Sequence, residues 1–317
     1  GVGTYVPGLI LILLGIYGAM TAPPANELSS ATLKPDLNNL SALNLLASIA
    51  FAFAGLELAS TMAEEVENPR RNLPRSIFIS GPLIAAAYVI GTAAVLWCLP
   101  KKDINVVSGF LQAIKAGADK ISPTLGWVAA LCAALYTVGN LGSVGAWLIG
   151  PARVAFVIGL DRYFPKGFGV VHPRWHTPYV AILVQATFAT IFLLLSVLGK
   201  GTDVEDVYLI LLDTQILIYF IPYLYLFVVF LINRQHGESS SGVVLAPGGS
   251  IGGWLTGLSG MIVTLFAMII ATIPPPNMGN SLLFRLKVIG GALGFILFGW
   301  LIYWHARFKE KHNDSRI

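Results

Sequence analysis

The stretch NLLASIAFAFAGLELASTMAEEVENPRRNLPRS, residues 44–76, begins as an apolar helix and then sets one carboxylate, Glu57, among small and aromatic residues. A few positions later it turns polar, with Glu64, Glu65 and Glu67 followed by Asn68, Pro69, Arg70, Arg71, Pro74 and Arg75. An ionisable side chain at bilayer depth costs at least about 2.5 kcal/mol. Gly55, two residues earlier, accepts backbone angles that a Cβ disfavours. The pairing reads as a helix broken in mid-span over Ala52 to Glu57. The competing reading is a protonated Glu57 bonded to a neighbouring helix, with Gly55 serving close packing.

The rest of the chain sets that stretch in a bilayer. Of 317 residues, 56% are hydrophobic and 11% charged, against roughly 25% charged in soluble domains. The apolar residues gather in eight blocks, near 5–22, 43–63, 76–99, 124–148, 177–198, 207–232, 252–272 and 286–305. Each approaches or exceeds the roughly 20 residues a spanning helix needs, and none alternates as a barrel strand does. The fold class expected is therefore an all-α polytopic membrane protein with eight transmembrane helices.

Charge supplies the topology. Loops near 64–75, 149–176 and 233–251, together with the tail from 306, hold 12 of the 20 basic residues and nine of the ten arginines. That side is read as cytoplasmic, with both chain ends on it and the plasma membrane as location. The net charge of +4 is explained by this distribution, so no nucleic-acid partner is implied. Against it stand Lys101, Lys102, Lys115 and Lys120 on the outer side. Their segment has Val106, Val107, Phe110, Leu111 and Ile114 at helical spacing, an amphipathic helix on the outer surface or over a cavity.

Several chemistries find no support. Cys98 and Cys132 fall inside spans, where they read as small apolar residues. The five histidines show no metal-ligand spacing, and PGGSIGGW lacks a phosphate-loop pattern. No nucleophile and base constellation is apparent, so no enzyme activity, metal or cofactor is expected.

Two polar helix faces complete the picture. Tyr136, Asn140, Ser143 and Trp147 lie at helical spacing in the fourth span, with Gly139, Gly142 and Gly145 beside them permitting close backbone approach; the face reads either as polar groups pointing into the bundle or as a small-residue packing seam with satisfied side chains. In the sixth, Tyr208, Gln215, Tyr219 and Tyr223 share a face and Pro222 suggests a kink. Asp213 lies off that face, about two turns from the end, with a proton relay or a simple reach to the interface as its alternatives.

Broken helices at membrane depth are how many secondary transporters present backbone groups to a substrate. AFAGLELASTMAEEVENPRRNLPRSI, residues 52–77, resembles the amino acid-polyamine-organocation superfamily signature. That signature is a Phe-x-Gly-x-Glu break in the sixth helix, then an acidic patch and Asn-Pro-Arg-Arg-x-x-Pro-Arg. A second stretch, GPARVAFVIGLDRYFPKGFGVVHPRWHTPYVAI at 150–182, resembles the loop between that family's eighth and ninth helices. It carries Arg153, Asp161, Pro165 and the run His172-Pro173-Arg174.

The resemblance implies that the chain corresponds to helices five to twelve of a fold with two inverted five-helix repeats, as in leucine-transporter-like proteins. Residues 1–42 would be the last helix of the first repeat plus an outer loop, 43–232 the second repeat, and 233–317 two additional helices and a cytoplasmic tail. Four further helices are expected upstream of Gly1, and residues 1–317 alone are expected neither to bind nor to transport substrate. The implied function is alternating-access amino acid transport, proton-coupled or by exchange. Polyamine transport, a non-transporting membrane partner and a nutrient sensor are the alternatives. The implied substrate residues are Phe51, Ala52, Phe53, Ala54, Gly55, Glu57, Ser143 and Trp147, Phe51 being an aromatic gate. Glu57 and Asp213 are the gating or proton-coupling candidates. Glu65, Asn68, Pro69, Arg70, Arg71, Pro74, Arg153 and Asp161 form the cytoplasmic motifs.

Overall fold

A computed structural model describes residues 1–21, 23–27, 39–161, 163–197, 204–235, 248–276 and 278–314. The expected loop 233–251 lies outside the described residues over 236–247, as does the tail beyond 314. Among the described residues the α-helices are α1 (Val2–Thr21), α2 (Leu40–Phe51), α3 (Pro69–Cys98), α4 (Gly109–Ile121), α5 (Gly126–Leu160), α6 (Tyr179–Val197), α7 (Val204–Gln235), α8 (Gly249–Ile270) and α9 (Ser281–Asp314). A ten-residue 3-10 helix, Leu56–Glu65, follows α2.

Among the described residues, seven segments are long and apolar enough to cross a membrane: α1, Leu40–Thr61, α3, Pro123–Leu160, Val204–Asn233, α8 and Ser281–His305. The eighth expected block corresponds to α6, a shorter apolar helix over Tyr179–Leu194. The chain is thus all-α and polytopic. Large apolar side chains such as Leu13, Leu83, Val138 and Leu183 stand exposed along these helices, where lipid replaces water as the solvent.

Two expected loops are partly helical. Residues 69–75 form the start of α3. Pro69 occupies its first position, where the missing N–H has no intrahelical role and the fixed φ suits a helix. The segment from 149 to Leu160 continues α5 through Pro151.

The chain divides into two compact units. The first contains α1, α3 from Phe78, α4 and α5 up to Ile149. Its core joins Leu11, Ala94, Cys98, Ala113, Ile114 and Cys132. Here the amphipathic segment settles its role, since α4 packs against α1 and buries Ala113, Ile114, Gly117 and Ala118, while Val106 and Val107 precede it and are exposed. Asn26 ties the end of α3, its Nδ2 donating to the carbonyls of Leu96 (2.6 Å) and Leu99 (2.7 Å). Gly139 meets the backbone of α1: a Cβ there would sit 2.7 Å from the carbonyl carbon of Gly3.

The second unit contains α2, the 3-10 helix, the first residues of α3, the end of α5 and α6 to α9. Ala47, Ile216, Phe220, Ala267, Ile270 and Ala271 make its main core, at the meeting of α2, α7 and α8. Ile210, Phe284 and Val288 join α7 to α9.

Candidate functional site

The broken segment owes its shape to Gly55. The side chain of Asn39 caps the start of α2 by accepting from the N–H of Ala42 at 3.1 Å. At the other end the ladder tightens, with Phe53 N–H donating to Ala50 O at 3.3 Å and Ala54 N–H to Phe51 O at 2.9 Å. Gly55 then takes φ +103°, a value that an L side chain rarely adopts. The backbone re-enters as a 3-10 helix from Leu56, much longer than the three or four residues usual for that geometry. The break over Ala52 to Gly55 is therefore present where the sequence indicated it.

Glu57 closes this break onto α7. Its Oε1 accepts from the Tyr219 hydroxyl at 2.5 Å, and its Oε2 accepts from the Tyr223 hydroxyl. The same Oε2 accepts the Gly55 N–H at 2.9 Å, and that N–H also reaches the Tyr223 oxygen at 3.2 Å. One carboxylate thus satisfies two tyrosines and the backbone donor at the strained glycine. Phe51 sits edge-on to Tyr219, with ring centroids 5.6 Å apart. The tyrosines are four residues apart, one helical turn, which is why both reach one carboxylate. Their shared face was visible in the sequence; its pairing with Glu57 was not.

Beside the break, a cavity of about 320 Å³ opens toward α8, lined by Phe53, Ala54, Tyr223, Phe227, Ser259 and Thr264 among others. Its lining includes no charged residue.

The two sequence motifs meet within the second unit. Arg153, from the second, forms a salt bridge with Glu65 of the first. Nearby, Gly150 leaves room for Leu58, since a Cβ there would lie 2.9 Å from Leu58 Cδ2. Asp161 follows the end of α5 and is exposed, as are Asn68, Arg70 and Arg71, while Pro74 lies inside α3. Asn68 has φ +49° at the entry to α3.

Asp213 is buried, only 1% exposed. Its Oδ2 accepts from Asn44 Nδ2 at 3.0 Å, and that nitrogen also lies 3.3 Å from Ile270 O and 2.9 Å from Ile273 O. Asn44, itself fully buried, escaped notice because a lone asparagine in an apolar block gives no periodic signal.

Ser143 and Trp147 belong to the other compact unit and are exposed on α5. On that face the Tyr136 ring lies 5.2 Å from the Phe110 ring. Asn140, Ser143 and Trp147 are exposed. A Cβ on Gly142 or Gly145 would meet nothing within 4 Å, so of the three glycines only Gly139 serves close approach. Among the described residues no group of three or more His, Cys, Asp or Glu side chains is placed to hold a metal ion.

Comparison with known proteins places the chain. It is 28% identical over 320 aligned positions to an uncharacterized transporter of Legionella pneumophila, covering 99% of this chain and 66% of that protein. To a glutamate/gamma-aminobutyrate antiporter of Lactococcus lactis it is 24% identical, covering 88% of this chain and 56% of the relative. To a probable agmatine/putrescine antiporter of the same species it is 26% identical, covering 91% and 60%. The chain thus spans between 56% and 66% of the length of these relatives. The family model described as amino acid permease matches residues 1–293, and with nearly the whole chain accounted for, this protein belongs to the amino acid permease family.

Proposed function

We propose that this chain is part of a permease that carries amino acids across the plasma membrane by alternating access, proton-coupled or in exchange for a second solute. The observation that carries the reading is the spanning helix interrupted at Gly55 and tethered by Glu57 to Tyr219 and Tyr223. A helix restarting at Leu56 presents N–H groups without intrahelical partners, suited to a substrate carboxylate. Phe51 to Gly55 and Glu57 are the proposed substrate contacts, Phe51 acting as the gate. Glu57 and Asp213 are the gating or proton-coupling residues. In this reading α6 is an eighth crossing, residues 43–232 are the second of two inverted repeats, and both chain ends are cytoplasmic.

Two of the relatives described above are named as antiporters, which supports exchange. The agmatine/putrescine relative favours a second reading, organic-cation transport. Amino acids are preferred because a diamine favours several carboxylates converging on one cavity, whereas the cavity beside the break is lined by no charged residue. The test is counterflow in liposomes by the full gene product containing these residues, with glutamate, gamma-aminobutyrate, neutral amino acids, agmatine and putrescine. Saturable exchange of an amino acid is expected. Exchange of the diamines alone establishes the second reading, and transport of none rejects both.

A further inference from the structure

The cluster around Asp213 carries more than its place in the fold. Asn44 Nδ2 faces three oxygens, two of them the backbone carbonyls of Ile270 and Ile273. A carbonyl only accepts, so these contacts fix which end of the amide is nitrogen. The other polar atom of each side chain, Asn44 Oδ1 and Asp213 Oδ1, is then buried without a hydrogen-bond partner. Both are acceptors if Asp213 is ionised, and a buried acceptor without a donor is costly. An ionised Asp213 would also lie close to the carbonyl end of α8, which carries partial negative charge.

Neither α2 nor α8 contains a titratable side chain, and α6 has only Tyr179 at its start. From α9 come exposed Arg285 and half-buried Lys287, near its start, then Tyr303 and His305 beyond it. On α7 itself, Glu205, Asp206 and Tyr208 precede Asp213, and Tyr219, Tyr223 and Tyr225 follow it. Among the described residues no salt bridge to Asp213 is formed.

We propose that Asn44 and Asp213 form a binding site for a single proton. The proton resides on Asp213 Oδ1 and is donated to Asn44 Oδ1, while Asn44 Nδ2 donates to Asp213 Oδ2. One proton turns two unmatched acceptors into a donor and an acceptor, closes an acid–amide ring and removes the uncompensated charge. The ring ties α2, the first half of the broken helix, to α7 and to the end of α8. This concerns the folded protein and stands whether or not amino acids are the cargo.

The test uses the full gene product in lipid nanodiscs, read by infrared difference spectroscopy and by the thermal midpoint. A protonated carboxyl C=O band is expected at neutral pH, lost in Asp213→Asn and kept in Glu57→Gln. Asp213→Asn, whose amide can still donate to Asn44 Oδ1, is expected to stay within about 2 °C of wild type. Asp213→Leu, which cannot, is expected to melt lower. A proton held by the folded state and released on unfolding makes stability fall as pH rises. Wild type should show this decline and Asp213→Asn should show less of it. Absence of the band, or failure of Asp213→Asn to fold, overturns the proposal. So does a midpoint raised by sodium over choline in wild type and not in Asp213→Asn, because the carboxylate would then be ionised and holding a cation.

Discussion

Removing the Glu57 side chain should open the break, and the size of the effect follows from what it holds. Its carboxylate receives the Tyr219 hydroxyl, the Tyr223 hydroxyl and the Gly55 N–H. Hydrogen bonds to a charged group contribute about 1.5–3 kcal/mol each, less where the freed partners find other acceptors. In Glu57→Ala the Gly55 N–H still has the Tyr223 oxygen at 3.2 Å, a longer contact. A net loss of about 2–3 kcal/mol in closing the segment is therefore a reasonable expectation. With each 1.4 kcal/mol worth a factor of ten, amide exchange of residues 52–58 should quicken about 30- to 150-fold. Hydrogen–deuterium exchange by mass spectrometry on a peptide covering this segment reads the change directly. Tyr223→Phe, which loses the bond to Glu57 and the secondary contact with Gly55, should accelerate exchange less than Glu57→Ala and more than Tyr219→Phe. Exchange in Glu57→Ala within twofold of wild type would mean that the carboxylate does not hold the break, and the reasoning fails.

Four further outcomes are expected. Glu57→Gln should flatten the pH dependence of uptake while binding persists, and an unchanged pH profile removes Glu57 from any proton coupling. Gly139→Ala should cost about 1–3 kcal/mol of stability through overpacking against α1, whereas Gly142→Ala, with open space around it, should be neutral or slightly stabilising; equal effects in an unfolding titration would contradict the packing described. Arg153→Ala should cost less than about 1 kcal/mol, since the pair with Glu65 is partly exposed; a loss above 2 kcal/mol would show that the bridge anchors the motifs. Uptake should survive replacement of sodium by choline at fixed pH and membrane potential, because the hydroxyls of Thr137 and Ser143 on α5 are not adjacent in the chain and supply no hydroxyl pair for the cation, and collapse of uptake would reverse that expectation.

The sequence by itself determined the class of protein and the position of the break. Long apolar blocks leave a chain no soluble solution, and glycine two residues before a mid-span glutamate marks a backbone position that ordinary residues disfavour. Both features are local, so composition and spacing suffice to read them. The spacing of Val106, Val107, Phe110, Leu111 and Ile114 likewise marked a helix, which the structure begins at Gly109, but only packing decided that its small residues bury against α1. The loops assigned at 64–75 and 149–176 are in part helical, because charge and proline look the same in a solvated loop and in the end turns of a helix. Tertiary structure alone decided the partners of the two membrane carboxylates. Glu57 meets Tyr219 and Tyr223 across more than 160 residues, and Asp213 meets Asn44 across 169. No periodicity encodes such pairs; helices distant in sequence bring them together, and the cost of leaving a polar group unmatched inside a bilayer then requires them to bond.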